Sequence, residues 1–276
     1  MTRLRVGTRG SALALAQARW VAERLDGAEI VEIVTSGDQT LGVGDKSRWV
    51  DAIEAALVAG EIDLAVHSAK DVPGELATGC ELVATPPRAA SHDLLIGSWP
   101  EGARVGTSSL RRRAQLLSVR PDLDVVELRG NVDTRLRKLD AGAVDAIVLA
   151  AAGLERLGVE RSAEALDFVP APGQGTLALE ARADDERVRA ALGAVHDPDT
   201  FASLSAERAA VRVLDATCHT PVGIHARDGT MRGFVGLPDG SAWVADELRG
   251  ADGEELARRL LAAGAGELLA RAEEMA

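Results

Sequence analysis

Ala59-Gly60-Glu61-Ile62-Asp63-Leu64-Ala65-Val66-His67-Ser68-Ala69-Lys70-Asp71-Val72-Pro73 is the stretch that decides the fold. A glycine turn feeds an apolar, strand-like run, and the run ends in a short polar loop that holds a lysine beside an aspartate. The first part returns further on as Ala141-Gly142-Ala143-Val144-Asp145-Ala146-Ile147-Val148. Ahead of each copy stands a second echo: Arg5-Val6-Gly7-Thr8 recurs as Arg104-Val105-Gly106-Thr107, each followed by serine and a helix-like run. Two echoes in the same order predict two α/β halves on one plan, each opening with strand, Gly-Thr turn and helix. In an open α/β sheet, ligands collect beyond the carboxyl ends of the strands. Lys70 and Asp71 stand at such an end, although a lone pair of this kind is more often a solvated loop.

Working outward, Ser11 precedes a predicted helix from Ala12 to Leu25. Ser109 precedes another from Leu110 to Val119, with Leu110, Ala114 and Leu117 on one face. Thr85-Pro86-Pro87-Arg88-Ala89-Ala90-Ser91 and Pro170-Ala171-Pro172-Gly173-Gln174-Gly175 are stiff crossings. The strand-like Thr176 to Glu180 after the second crossing predicts a return to the first domain, giving a hinged pair with a cleft between. From Asp197 the pattern changes to a helix (Leu204 to Leu214) and three strand-like runs, Val222 to Ala226, Met231 to Leu237 and Ala242 to Leu248. Pro238-Asp239-Gly240-Ser241 is a turn, and a helix from about Glu254 closes the chain. The expected fold class is α/β, with a small C-terminal α/β domain carrying an antiparallel three-stranded sheet. The expected domains are 1–86 with 176–195, 90–171, and 197–276.

The chain has 276 residues, 46% of them hydrophobic, and a net charge of −12. That charge argues against nucleic-acid or membrane binding by charge alone, and 3% aromatics without a tyrosine offer no base-stacking platform. With no signal-peptide core and no long apolar run, the expected location is the cytoplasm. Two cysteines, Cys80 and Cys218, make no disulfide framework. No histidine spacing suits a metal, so none is expected, and His67 reads as structural or as an orienting donor.

The cations concentrate in the second half, from Arg104 through Arg111-Arg112-Arg113 to Lys138. Arg111 and Arg112 lie in the first turn of a helix, where cations oppose the helix dipole, so an anion is expected nearby. Arg9, Arg111, Arg112 and Arg129 suit ligand carboxylates or phosphates. Arg113, Arg120, Arg137 and Lys138 are expected to be solvated. No phosphate loop or dinucleotide fingerprint is present. The pattern fits a polyanionic organic substrate that develops positive charge as it reacts.

Gly7-Thr8-Arg9-Gly10-Ser11, Val66 to Pro73, Gly106-Thr107-Ser108-Ser109-Leu110-Arg111-Arg112, Leu128 to Leu136 and Pro170 to Gly175 together resemble the porphobilinogen deaminase (hydroxymethylbilane synthase) family. The resemblance is collinear over nearly the whole chain. It implies two periplasmic-binding-protein-like (type II) domains joined by hinge crossovers, plus the small third domain. It also implies a covalent dipyrromethane cofactor in thioether linkage to Cys218. The family joins four porphobilinogen molecules head to tail on that primer, releases ammonia each time, and hydrolyses off hydroxymethylbilane.

By the same resemblance, Asp71, Arg9 and Lys70 are catalytic. Cys218, Lys70, Thr107, Ser109, Arg111, Arg112, Arg129 and Gly130 hold the cofactor, and Arg9, Ser11, Lys46, Arg129, Arg135 and Arg156 hold substrate. Asp71 would stabilise the azafulvenium-like cation left when ammonia departs. A monomer acting on a small molecule is implied. Two departures stand out: the lid reads Gly44-Asp45-Lys46-Ser47-Arg48-Trp49, with Trp49 in place of phenylalanine, and Cys218 follows Ala216-Thr217 in place of two glycines. The rival readings are a solute-binding protein and a divergent paralogue that binds pyrrole carboxylates without polymerising them. Cys80 is the weaker attachment candidate, because Gly79-Cys80-Glu81-Leu82 lacks the Pro and Gly that follow in the family.

Overall fold

A computed structural model describes residues 3–35, 50–217 and 220–275 of the chain. In order, the first elements are β1 (Arg5–Thr8), α1 (Ala12–Glu23), β2 (Glu29–Glu32), α2 (Asp51–Val58), β3 (Leu64–Ser68), a one-turn 3-10 helix (Ala69–Asp71) and β4 (Cys80–Ala84). Next come β5 (Asp93–Gly97), β6 (Arg104–Gly106), α3 (Leu110–Val119), β7 (Asp124–Val126), α4 (Val132–Asp140), β8 (Ala146–Ala150), α5 (Ala151–Leu157) and β9 (Ala163–Leu166). Then follow β10 (Leu177–Arg182), α6 (Glu186–Leu192), α7 (Pro198–Val213), β11 (Val222–Arg227), β12 (Thr230–Gly236), β13 (Trp243–Arg249), α8 (Gly253–Ala262) and α9 (Ala265–Glu274).

The first sheet has the order β2-β1-β3-β10-β4 and the second β7-β6-β8-β5-β9. In the first, β1 is parallel to β2 and β3 while β10 runs antiparallel to β3 and β4. In the second, β6 is parallel to β7 and β8 while β5 runs antiparallel to β8 and β9. The two echoes therefore occupy equivalent places, β1 with β6 and β3 with β8. They also share an anchor. The Arg5 N–H donates to Asp63 Oδ2 at 2.8 Å, and the Arg104 N–H donates to Asp145 Oδ2 at 2.8 Å. The repeated aspartate thus fixes the start of the neighbouring strand in each sheet. The repeated glycine has a cause too, since a Cβ on Gly7 would lie 2.3 Å from Ile62 Cδ1, and one on Gly106 2.7 Å from Leu128 Cδ2.

Each sheet buries both faces, as parallel strands flanked by helices require. On one face of the first sheet Val6, Leu64, Val66, Leu177 and Leu179 pack with Ala18 and Val21 of α1 and with Val188 and Leu192 of α6. Ile53 and Leu57 of α2 cover Ala65 on the other. In the second sheet Val105, Val125 and Val148 pack with Leu116 of α3, and Ile147 and Leu149 pack with Leu136 of α4 and Leu154 of α5. The third sheet, β11-β12-β13, is antiparallel throughout. Ile224, Met231 and Val235 pack there beneath Leu256 and Leu260 of α8 and Leu268 and Leu269 of α9.

The architecture is α/β with two type II sheets and a small C-terminal α/β part, as expected. Met1–Ala89 with Gly175–Ala202 make one compact unit, and Ala90–Gln174 with Ser203–Ala276 make the other, which holds two of the sheets. Two local readings change. The closing helix is broken in two at Gly264, whose φ of 104° is the left-handed conformation that ends α8. And α3 does not bury the apolar face expected of it: Leu110 and Leu117 are only partly covered, whereas Arg111, Arg112 and Gln115 are buried beside Ala114 and Leu116.

Candidate functional site

At the carboxyl edge of the first sheet, β1 runs out into Arg9 and Ser11, and its parallel neighbour β3 runs out into Lys70 and Asp71. Ser11 is the N-cap of α1, its hydroxyl accepting the Ala14 N–H at 3.3 Å. Lys70 and Asp71 form the one-turn 3-10 helix, and both are half-buried. The apolar Leu64-Ala65-Val66, buried in the sheet, makes the strand, and the Ser68-to-Asp71 segment turns because Val72 N–H closes back on the Ala69 carbonyl at 3.3 Å. His67 is buried, with Nε2 3.0 Å from Glu180 Oε2 on β10, close enough for a charge pair though off the hydrogen-bond direction.

The second sheet gathers its expected residues at the corresponding edge. Thr107 and Ser109 follow β6, Arg129 and Gly130 follow β7, and Arg156 lies on α5 after β8. Buried Thr107 accepts the Ser109 N–H at 3.2 Å, and Ser109 caps α3 by accepting the Arg112 N–H at 3.4 Å. Gly130 has φ 123°, and a Cβ there would lie 2.7 Å from Thr134 Cγ2, so only glycine fits. Arg129 Nε donates to Glu127 Oε1 at 2.6 Å, and Arg135 Nη2 donates to Ser108 Oγ at 3.2 Å, tying α4 to the loop before α3. Burial pushes the Arg156 guanidinium down to about 10.

Arg111 and Arg112 converge on Asp93, the first residue of β5. Arg111 Nη1 donates to Asp93 Oδ2 at 2.7 Å and to the Val169 carbonyl at 2.9 Å. Arg112 donates to Asp93 Oδ1 from Nε at 3.0 Å and from Nη2 at 2.7 Å, and to the Val148 carbonyl from Nη1 at 2.9 Å. Gln174 Nε2 adds a bond to the same oxygen at 2.9 Å. Burial alone would push the Asp93 carboxyl up, but the charges and hydrogen bonds of the two guanidiniums prevail and hold it well below the usual carboxylate range. Asp93 is thus the anion that offsets the cations in the first turn of α3. Two guanidiniums against one carboxylate still leave one positive charge in excess, which suits a ligand carboxylate nearby.

Asp93 and Gln174 were not singled out in the sequence. The available signal was a lone acid heading the apolar run Asp93-Leu94-Leu95-Ile96. Arg113, expected to be solvated, donates to the Pro238 carbonyl at 3.2 Å and the Val125 carbonyl at 2.8 Å, because α3 lies against the turn before β13. Arg120 pairs with Asp122 and sits 5.2 Å over the Trp99 ring. Arg137 and Lys138 are exposed, as expected. Lys46, Trp49 and Cys218 lie outside the described residues. Cys80, on β4, packs against the Ile53, Leu57 and Ala65 cluster, and burial followed by the charges of Glu180 and Glu54 pushes its thiol up to about 11.

Residues 4–190 match the family model for porphobilinogen deaminase, dipyromethane cofactor binding domain, and residues 201–263 match porphobilinogen deaminase, C-terminal domain. The porphobilinogen deaminase of Rubrobacter xylanophilus is 48% identical, over 94% of this chain and 93% of its own length. That of Syntrophotalea carbinolica is 46% identical over 97% of this chain and 95% of its own, and that of Exiguobacterium sibiricum 43% over 98% of each. Among solved structures, an ABC transporter from Parabacteroides distasonis aligns with a TM-score of 0.45 at 18% identity, covering 76% of this chain and 74% of that one. The family-model match over most of the chain, with these identities along nearly its full length, places the chain in the porphobilinogen deaminase family.

Proposed function

We propose that the chain polymerises four porphobilinogen molecules head to tail on a covalently held dipyrromethane, releases one ammonia per addition, and hydrolyses off the linear tetrapyrrole hydroxymethylbilane. The observation that carries this reading is the placement of Arg9, Ser11, Lys70 and Asp71 at one sheet edge in a chain whose residues 4–190 match the cofactor binding domain. Three domains follow from it, the two sheets of the second unit counting separately.

The residues present fit the cofactor. A dipyrromethane carries acetate and propionate groups, and the second sheet edge offers hydroxyls at Thr107 and Ser109, forked cations at Arg111, Arg112 and Arg129, and beside Arg129 the backbone of Gly130, which holds a positive φ that glycine adopts without strain. When bound, the group supplies the nucleophilic pyrrole α-carbon to which the first substrate is joined. Lys70 joins these residues in holding the cofactor, and with Arg9 it assists Asp71 in catalysis. Arg9 and Arg129 also take substrate carboxylates, as do Ser11, Lys46, Arg135 and Arg156. As ammonia leaves the aminomethyl carbon of porphobilinogen, the substrate ring becomes cationic. The Asp71 carboxylate stabilises that charge from beside the pyrrole N–H and guides the proton lost when the new carbon–carbon bond restores aromaticity.

The thioether falls to Cys218. Of the two cysteines, Cys80 is half-buried against the Ile53, Leu57 and Ala65 cluster with its thiol pushed up to about 11, and a thiol so rarely ionised near neutral pH is a poor nucleophile. We read the enzyme as a cytoplasmic monomer acting on a small molecule, without nucleic-acid or membrane partners. The net charge of −12 argues against nucleic-acid or membrane partners held by charge alone, and no described helix is long and apolar enough to cross a membrane. Intact-mass analysis of protein made in a cell that supplies porphobilinogen is expected to show the dipyrromethane adduct, and Cys218→Ala to lose it. An unmodified parent protein would overturn the reading. Asp71→Ala is expected to keep the adduct and lose about a hundredfold or more in turnover. Near-normal bilane release by that variant would remove Asp71 from its role.

A further inference from the structure

Three consecutive residues ahead of Lys70 and Asp71 are each tied to a different partner. His67 Nε2 lies 3.0 Å from Glu180 Oε2. Ser68 is clasped by the Gln17 side-chain amide of α1, whose Nε2 donates to Ser68 Oγ at 2.9 Å while the hydroxyl faces Oε1 at 3.3 Å. The Ala69 N–H donates to the Thr176 carbonyl, just before β10, at 3.0 Å. Neighbouring strand residues point to opposite faces, so His67 is held on the α2 side of the sheet and Ser68 on the α1 side. The end of β3 is clamped from both faces.

A single 3-10 turn cannot hold itself rigid, since fixing its dihedrals yields one hydrogen bond. Its aim is therefore set by the strand that feeds it. The register of β10 on β3, with Leu177 opposite Ser68 and Ala178 opposite His67, is what brings the Thr176 carbonyl to the Ala69 N–H. A slip by one residue would turn the Glu180 side chain to the other face, away from His67. The contact between His67 and Glu180 therefore marks the register in which the two strands are paired. Gln17 is 2% exposed and Glu180 0%, so neither has a solvent role.

We propose that Gln17 and Glu180 are positioning residues for the reaction: acting through Ser68 and His67, they hold the turn that aims Asp71. The inference rests on Asp71 as the catalytic carboxylate. A misplacement of about 1 Å costs on the order of a hundredfold in rate.

Gln17→Leu, Ser68→Ala, their double variant, Glu180→Gln and Asp71→Asn are made as full-length holoenzymes, with the cofactor adduct read by intact mass and the folded fraction by thermal melting. In Gln17→Leu and Glu180→Gln, kcat is expected to fall about tenfold to a hundredfold, with KM for porphobilinogen within about twofold and the adduct intact. Gln17→Leu with Ser68→Ala is expected to be no slower than either alone, because both remove one clasp. Values of kcat within about twofold of the parent beside an inactive Asp71→Asn would overturn the proposal alone, as would additive losses or a kcat that only follows the folded fraction. An active Asp71→Asn would overturn the role of Asp71 itself, and the proposal with it.

Discussion

Asp93 is fully buried and shared by Arg111 and Arg112, so its removal leaves two guanidiniums without their counter-ion. Breaking a buried ion pair by taking one partner away costs about 3–5 kcal/mol. Asp93→Asn, which keeps the shape, is expected to lower stability by roughly that amount at neutral pH. The loss depends on pH in a definite direction. The folded-state pKa of Asp93 lies below its unfolded value of about 3.9, so the stabilisation is complete above about pH 4 and fades as pH falls toward the folded value. The gap between parent and variant should therefore be widest near pH 7 and narrow below about pH 4, as denaturant melts at a series of pH values would record. A gap that widens toward acid would contradict the assignment.

Among the elements, β10 matters most to the first sheet. It lies between β3 and β4 and buries Leu177, Leu179 and Ala181. Without it β3 would carry an unpaired edge and both neighbours would lose their shared core. A chain ending at Gln174 is expected to show no cooperative unfolding of the first unit, with hydrogen exchange of β1 and β3 amides in seconds rather than hours. Slow exchange there would show that β10 is dispensable. The turn signals and the apolar runs made most strands legible in the sequence, and the paired aspartates Asp63 and Asp145 now explain why the echoes read alike. What periodicity misread was α3. It assigned the buried face by hydrophobicity, whereas the face is set by the ion pairs and hydrogen bonds that Arg111, Arg112 and Gln115 make. An amphipathic pattern cannot show a polar face that is buried because its partner lies eighteen residues away.

At the scale of the molecule, a net charge of −12 coexists with cations drawn to the ends of β6, β7 and β8. The candidate residues were legible because family motifs are contiguous stretches. Gln17, Asp93 and Glu180 were not, because each works through a contact distant in sequence, and Gln174, although it stands in one of those stretches, has its role set by Asp93 far from it in sequence. The late arrival of β10 has one more consequence. Every strand of the second sheet lies between Asp93 and Leu166, while the first sheet needs Leu177–Arg182. On the ribosome, where domains fold as their residues emerge, the half that is synthesised first is the half that must wait. Its unpaired β3 and β4 edges are open until β10 emerges, so a slow stretch of translation before residue 177 would prolong the time in which nascent chains can pair with each other.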